Sequence, residues 1–126
     1  MSKVVDSAAF INSSFFDSEG DVFTTSGVIK EIKDFKSQAL VDALVASGKL
    51  RIFQASKETI DMVRKMAEDI GALKRLSRTD VEVVSLAFEK NAILITDDFT
   101  LQNLAAHLNV KFDGVMRGKI REKRKF

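Results

Sequence analysis

The chain has 126 residues, 45% of them apolar, enough for one domain that hides roughly two-thirds of the surface its unfolded form would expose. It contains no cysteine, which excludes disulfides and thiolate zinc sites within it, and no apolar run nears the roughly 18 residues that a membrane span needs. The net charge of +2 hides an asymmetry: six of the 20 Lys and Arg lie between Arg117 and Lys125, so positions 1–116 hold 14 basic and 17 acidic residues, an acidic body with a basic tail.

In chain order, residues 3–6 read as a short buried strand, preceded only by Met1-Ser2. That leaves no room for a signal peptide's apolar stretch, so a soluble, cytoplasmic protein is expected. Residues 7–16 follow as a helix and 17–21 as a loop. Thr25 or Ser26 can cap a helix running to about Lys33, because a hydroxyl accepts an orphan amide at a helix start. Residues 37–47 are expected to be helical, with Leu40, Leu44 and Val45 on one side and Gly48 as the stop.

Residues 50–55 have strand character. A helix is expected over 57–70, with Ile60, Val63, Met66, Ala67 and Ile70 at helical spacing and Gly71 ending it. Ser77 or Thr79 caps the next helix, which runs to Lys90. Residues 92–95 form a fully apolar run of strand length, 101–108 are helical, and a last short strand or turn is expected near Val115. Residues 1–116 are expected to form the folded body, and 117–126 a basic tail or the start of a linker. Helices alternating with short apolar strands imply an α/β fold with a mainly parallel sheet covered on both faces.

In such folds sites form beyond the C-terminal ends of the strands. Asp6 ends the first strand, and Asp98 follows the run 92–95 after only Thr96 and Asp97. Glu31 and Asp80 stand among apolar residues near helix starts. Clustered carboxylates repel, and burial raises the cost of their charge. A hard divalent cation offsets both, and oxygen-only ligands favour Mg²⁺ or Mn²⁺ over zinc or copper. Such an ion can activate water and shield a phosphate under attack. The single histidine, His107, excludes a histidine-pair mechanism within one chain.

Each acid also has a plainer reading. Asp80 complements the positive end of its helix, Glu31 is a solvated residue among Lys30, Lys33 and Lys36, and one of Asp97 and Asp98 caps the helix that follows.

The four acids, in this order, resemble the PIN-domain nucleases. That family has an Asp at the end of its first strand, as in Val4-Val5-Asp6, a Glu on an early helix, as at Glu31, an acid opening a later helix, as at Asp80, and a Thr-x-Asp after the next buried strand, as in Thr96-Asp97-Asp98. Asp98 takes the fourth role, with Asp97 auxiliary. Leu76-Ser77-Arg78-Thr79-Asp80 and Thr96-Asp97-Asp98-Phe99-Thr100-Leu101-Gln102-Asn103 are similar to the branch that matures the 3′ end of small-subunit ribosomal RNA in archaea and eukaryotes. The likeness runs from about Lys3 to Val110.

The resemblance implies a three-layer α/β/α sandwich and a metal-dependent endoribonuclease. Asp6, Glu31, Asp80 and Asp98, with Asp97 in support, would hold one or two Mg²⁺ or Mn²⁺ ions. The substrate would be single-stranded RNA, pre-rRNA of the small ribosomal subunit, cut to leave a 5′ phosphate and a 3′ hydroxyl. That branch continues into a cysteine-rich zinc ribbon, which would lie outside this sequence, and a homodimer stays open.

Arg117, Lys119, Arg121, Lys123, Arg124 and Lys125 would hold phosphates without choosing a sequence, and Arg78, with Lys74 and Arg75, would guide the strand toward Asp80. Phe10 and Phe88 are expected in the core. Phe99 is expected to pack on the sheet, with base stacking as the alternative. Two other functions carry the same fold: a VapC-like toxin ribonuclease neutralised by an antitoxin, and a non-catalytic RNA-binding domain. A haloacid-dehalogenase phosphatase is disfavoured because Ala8 stands where the second Asp of its Asp-x-Asp would be.

Overall fold

The computed structural model describes residues 1–11 and 20–115. Five strands form one sheet: β1 (Lys3–Val5), β2 (Val22–Thr24), β3 (Leu50–Ile52), β4 (Ile93–Ile95) and β5 (Phe112–Asp113). They lie in the order β3-β2-β1-β4-β5, and every pairing is parallel. The helices between them are α1 (Ser26–Glu31), α2 (Phe35–Ala46), α3 (Lys57–Asp69), α4 (Arg78–Lys90) and α5 (Phe99–His107), and a 3₁₀ segment (Ser7–Ile11) follows β1.

Parallel strands need crossovers, and right-handed ones set each helix on a face. The path from β1 to β3 runs outward on one side, with α2 packed on β3 and on the 3₁₀ segment. The path from β3 through α3 and α4 to β4 returns across the sheet, and α4 lies against β1 and β4, between α3 and α5. The chain therefore reverses direction between β1 and β4. That reversal is the crevice where open parallel sheets bind ligands.

α4 is the central helix, with Val81, Val83, Val84, Leu86 and Ala87 all buried. Leu86, Leu94, Leu101 and Leu104 are fully enclosed, each contributing about 1.5–3 kcal/mol of burial.

Caps define the helix ends. Thr25, Asp34, Ser56, Ser77 and Asp98 each accept a backbone amide from the first turn of the helix they precede. Gly48 and Gly71 take the positive φ values, 77° and 73°, that end α2 and α3 as their positions in the sequence predict.

Several expectations change. β2 went unread: Val22, Phe23 and Thr24 are all buried, too short a run to show a period before Thr25 starts α1. The strand expected over 50–55 stops at Ile52. The helix expected over 7–16 begins as the 3₁₀ segment, and its remainder lies outside the described residues. Phe10 is in the core, but Phe88, in the last turn of α4, is 40% exposed. Phe99 is 80% exposed. The buried face of α5 is Leu101, Leu104 and Ala105, and two helical steps turn residue 99 to the opposite side. Among the described residues no helix is long and apolar enough to cross a membrane.

Candidate active site

The site starts from two strand ends in register. Val5 of β1 pairs with Ile95 of β4, so Asp6 and Thr96 leave the sheet at one level, and the Asp6 amide donates to the Ile95 carbonyl at 3.2 Å. The Thr96 hydroxyl donates to Asp6 Oδ2 at 3.1 Å and accepts the Asp98 amide at 3.1 Å. The Gln102 side-chain amide donates to the Thr96 carbonyl at 2.9 Å. Thr96 is fully buried, so this chain of bonds fixes the loop 96–98 against Asp6. Ser7 donates its amide to Asp6 Oδ1 at 2.7 Å.

Asp98 caps α5: its Oδ1 accepts the amides of Thr100 and Leu101 at 2.8 and 3.2 Å. Asp97 turns elsewhere, with Oδ1 accepting the Val115 amide at 2.8 Å. The contest between these neighbours therefore has a double answer, since one caps a helix and the other fastens the end of β5.

Asp80 closes a capping box. Its Oδ2 accepts the Ser77 amide at 2.9 Å, and its own amide donates to the Ser77 hydroxyl at 3.1 Å. The plain reading of Asp80 as a helix-start residue is thus correct as far as it goes, yet the same carboxylate lies within reach of the charges on Asp6 and Glu31. Glu31 is exposed at the end of α1 and accepts a hydrogen bond from the Thr79 hydroxyl. Gly27 lies one turn before it on the same face. A Cβ there would stand 2.9 Å from Thr79 Oγ1, so the bare glycine is what lets α1 sit against the start of α4.

The electrostatics join the four positions. Burial pushes the Asp6 carboxyl above its ordinary value. The bonds from Ser7 and Thr96 pull it back, and the charges of Asp80 and Asp98 push the same way as burial. Loss of hydration raises Glu31 as well, followed by the charges of Asp6 and Asp80, against the Thr79 bond. Among the described residues none of the four has a basic side chain within 4.0 Å.

Four acids with no basic side chain beside them among the described residues, all oxygen donors, suit a hard divalent cation in charge and donor type. Among the described residues no three acids or histidines already stand close enough to grip one ion, so gripping one would take side-chain rotation, for which the exposed Glu31 has room.

The remaining expected site residues lie apart. Arg78 opens α4, is 85% exposed, and reaches Glu82 at 3.6 Å. Lys74 and Arg75 sit on an exposed 3₁₀ turn. His107, exposed at the end of α5, bonds through Nδ1 to the Asn103 carbonyl at 2.9 Å. Arg117, Lys119, Arg121, Lys123, Arg124 and Lys125 fall outside the described residues. Thr96, Gln102, Thr79 and Gly27 were not singled out from the sequence for these roles. The only sign of the first two was their place in the Thr-Asp-Asp…Gln-Asn block.

A parallel sheet with acids gathered at its reversal point defines a class, and comparison agrees with it. The family model for the PIN domain of ribonuclease matches residues 4–89, so the chain belongs to the PIN-domain ribonuclease family. The matched span holds Asp6, Glu31 and Asp80, while Asp98 lies beyond it.

Among individual relatives, the chain is similar to endoribonuclease Nob1 of Pyrococcus abyssi, at 39% identity over 115 residues, 91% of this chain and 69% of that one. It is also similar to ribonuclease VapC3 of Aeropyrum pernix, at 34% identity over 94% of this chain and 86% of that one. The VapBC2 structure from Rickettsia felis, bound to a promoter DNA fragment, shares the fold with a TM-score of 0.65 at 16% identity, covering 90% of this chain and 98% of that one.

Proposed function

We propose that this chain is a metal-dependent endoribonuclease that hydrolyses single-stranded RNA and acts in maturation of the 3′ end of small-subunit rRNA. The observation that carries the reading is the gathering of acids beyond the β1 and β4 ends: the Thr96 hydroxyl ties Asp6 to the 96–98 loop, the charges of Asp80 and Asp98 bear on Asp6, and those of Asp6 and Asp80 bear on Glu31. Burial first, and the neighbouring like charges after it, disfavour the charged form of Asp6 and Glu31, and a bound cation would offset both. Asp6, Glu31, Asp80 and Asp98 would hold Mg²⁺ or Mn²⁺, with Asp97 auxiliary, one of its oxygens already accepting the Val115 amide. The ion would supply Lewis acidity and charge neutralisation at the scissile phosphate.

The chain's own residues do the rest. Thr96 keeps Asp6 and Asp98 in register, Thr79 orients Glu31, and the exposed ring of Phe99 beside Asp98 offers a base a stacking surface. The basic residues between Arg117 and Lys125 add affinity for the backbone without sequence choice. Relatives named Nob1, at 39% and 35% identity, support the rRNA assignment.

A toxin reading has support of its own, because relatives named VapC match at 36% and 34% identity. Cleavage of a short single-stranded RNA spanning a small-subunit rRNA 3′ end, beside a scrambled RNA and in Mn²⁺ or EDTA, separates the cases. Cutting at one position in the rRNA sequence alone, abolished by EDTA, is expected. Equal cutting of both RNAs, with a small protein copurifying, would favour the toxin. A folded protein that cuts neither RNA in Mn²⁺ would overturn the enzymatic reading.

A further inference from the structure

One groove beside the α4 start has no role so far. It encloses about 670 Å³ and is lined by Gln54, Ala55, Lys57, Ile60, Arg64, Arg78 and Glu82. Lys57 and Arg64 lie seven residues apart on α3, two turns along one face, and Arg78 faces them from the first turn of α4. Three cations therefore meet one carboxylate, in a body that carries net negative charge.

The carboxylate is already engaged. Glu82 Oε2 accepts from Gln54 Nε2 at 3.1 Å and pairs with Arg78 Nε at 3.6 Å. That pairing is through Nε, which leaves the terminal guanidinium nitrogens open to an anion. Lys57 and Arg64 have no acidic partner among the described residues, whereas Lys65 on the same helix pairs with Asp69 at 2.8 Å and Lys90 lies over the Phe53 ring at 4.1 Å. Both residues are exposed. Unpaired cations that share a groove with an exposed arginine match a chain of phosphates in charge. The groove is also close to the acids in the chain and across the helices: Arg78 precedes Asp80 by two residues, and Gly27, one turn before Glu31, approaches both Thr79 and Glu82.

We propose that the groove of Lys57, Arg64 and Arg78 binds the phosphodiester backbone of a single-stranded RNA at nucleotides flanking the cleaved bond. The occupant's identity rests on the nuclease reading, while the groove's affinity for RNA can be measured without cleavage. The probe is a fluorescently labelled single-stranded oligoribonucleotide, with binding followed by anisotropy in EDTA over a range of salt, using the full chain.

Lys57→Ala with Arg64→Ala is expected to weaken binding by roughly tenfold and to lower the slope of log affinity against log salt by about 1.4, at about 0.7 per lost phosphate contact. Lys57→Arg with Arg64→Lys, which keeps both charges, should retain the wild-type slope. In cleavage, the alanine pair should raise KM and leave kcat in place. Wild-type affinity and slope in the alanine pair, or an equal loss in the charge-preserving pair, would overturn the proposal. If no RNA is cut under any metal condition, the nuclease reading falls, and the anisotropy series still decides the groove.

Discussion

Asp98 shows how one side chain can serve the fold and the site together. Its Oδ1 holds two amides of α5, while its charge bears on Asp6. The two duties can be separated by substitution. Asp98→Asn keeps an oxygen for the cap, so stability should fall by less than about 0.5 kcal/mol, whereas Asp98→Ala should lose about 1 kcal/mol. Both should lower cleavage by roughly 100-fold or more, since both remove a charged ligand. Denaturant melts beside cleavage rates check this, and full activity in folded Asp98→Asn would remove Asp98 from the metal set. Asp6 stood out in the sequence because a carboxylate directly after a buried strand is conspicuous. Thr96 and Gln102 did not, because a hydroxyl and an amide look ordinary until the fold brings Thr96 to Asp6, 90 positions away in the chain. Phe88 and Phe99 misled for a related reason: hydrophobicity says that a ring can be buried, and only its place on the helix, the last turn for Phe88 and the outward phase for Phe99, says whether it is.

At the scale of elements, the placement of α1 against α4 decides where Glu31 stands. Gly27 allows that approach, and the nearest atoms to an added Cβ belong to the side chains of Thr79 and Glu82. Gly27→Ala should therefore shift α1 slightly and disturb the bond from Thr79 to Glu31. A stability change of about 1 kcal/mol at most is expected, because side chains yield more readily than backbone and alanine favours the helix. The apparent affinity for Mn²⁺ should weaken more noticeably. An unchanged Mn²⁺ titration would show that Glu31 does not depend on this contact. Most helices were legible here, because Ser, Thr and Asp caps and glycine stops announce them. β2 was not, because three consecutive buried residues carry no period.

For the whole molecule, the order β3-β2-β1-β4-β5 brings acids from four separate segments together. Alternating helices and strands predicted a parallel sheet, but strand order follows from packing across the sheet and cannot be counted off the chain. The order also links the site to stability. Asp6 and Glu31 titrate above their ordinary values of 3.8 and 4.5, so the native state holds protons that the unfolded chain has released. Metal-free protein should lose stability as pH rises from those ordinary values through the raised ones. A divalent cation, which binds the deprotonated acids, should restore that loss at neutral pH and have little effect in acid. The most direct test is thermal unfolding of wild type and Asp6→Asn near neutral pH, with and without Mn²⁺. At about 100 times its Kd, Mn²⁺ should stabilise the wild type by about 2.7 kcal/mol. Asp6→Asn, relieved of a buried charge, should start more stable without metal and gain much less from it. An equal gain in both proteins, or none in either, would contradict a cation site built on these carboxylates.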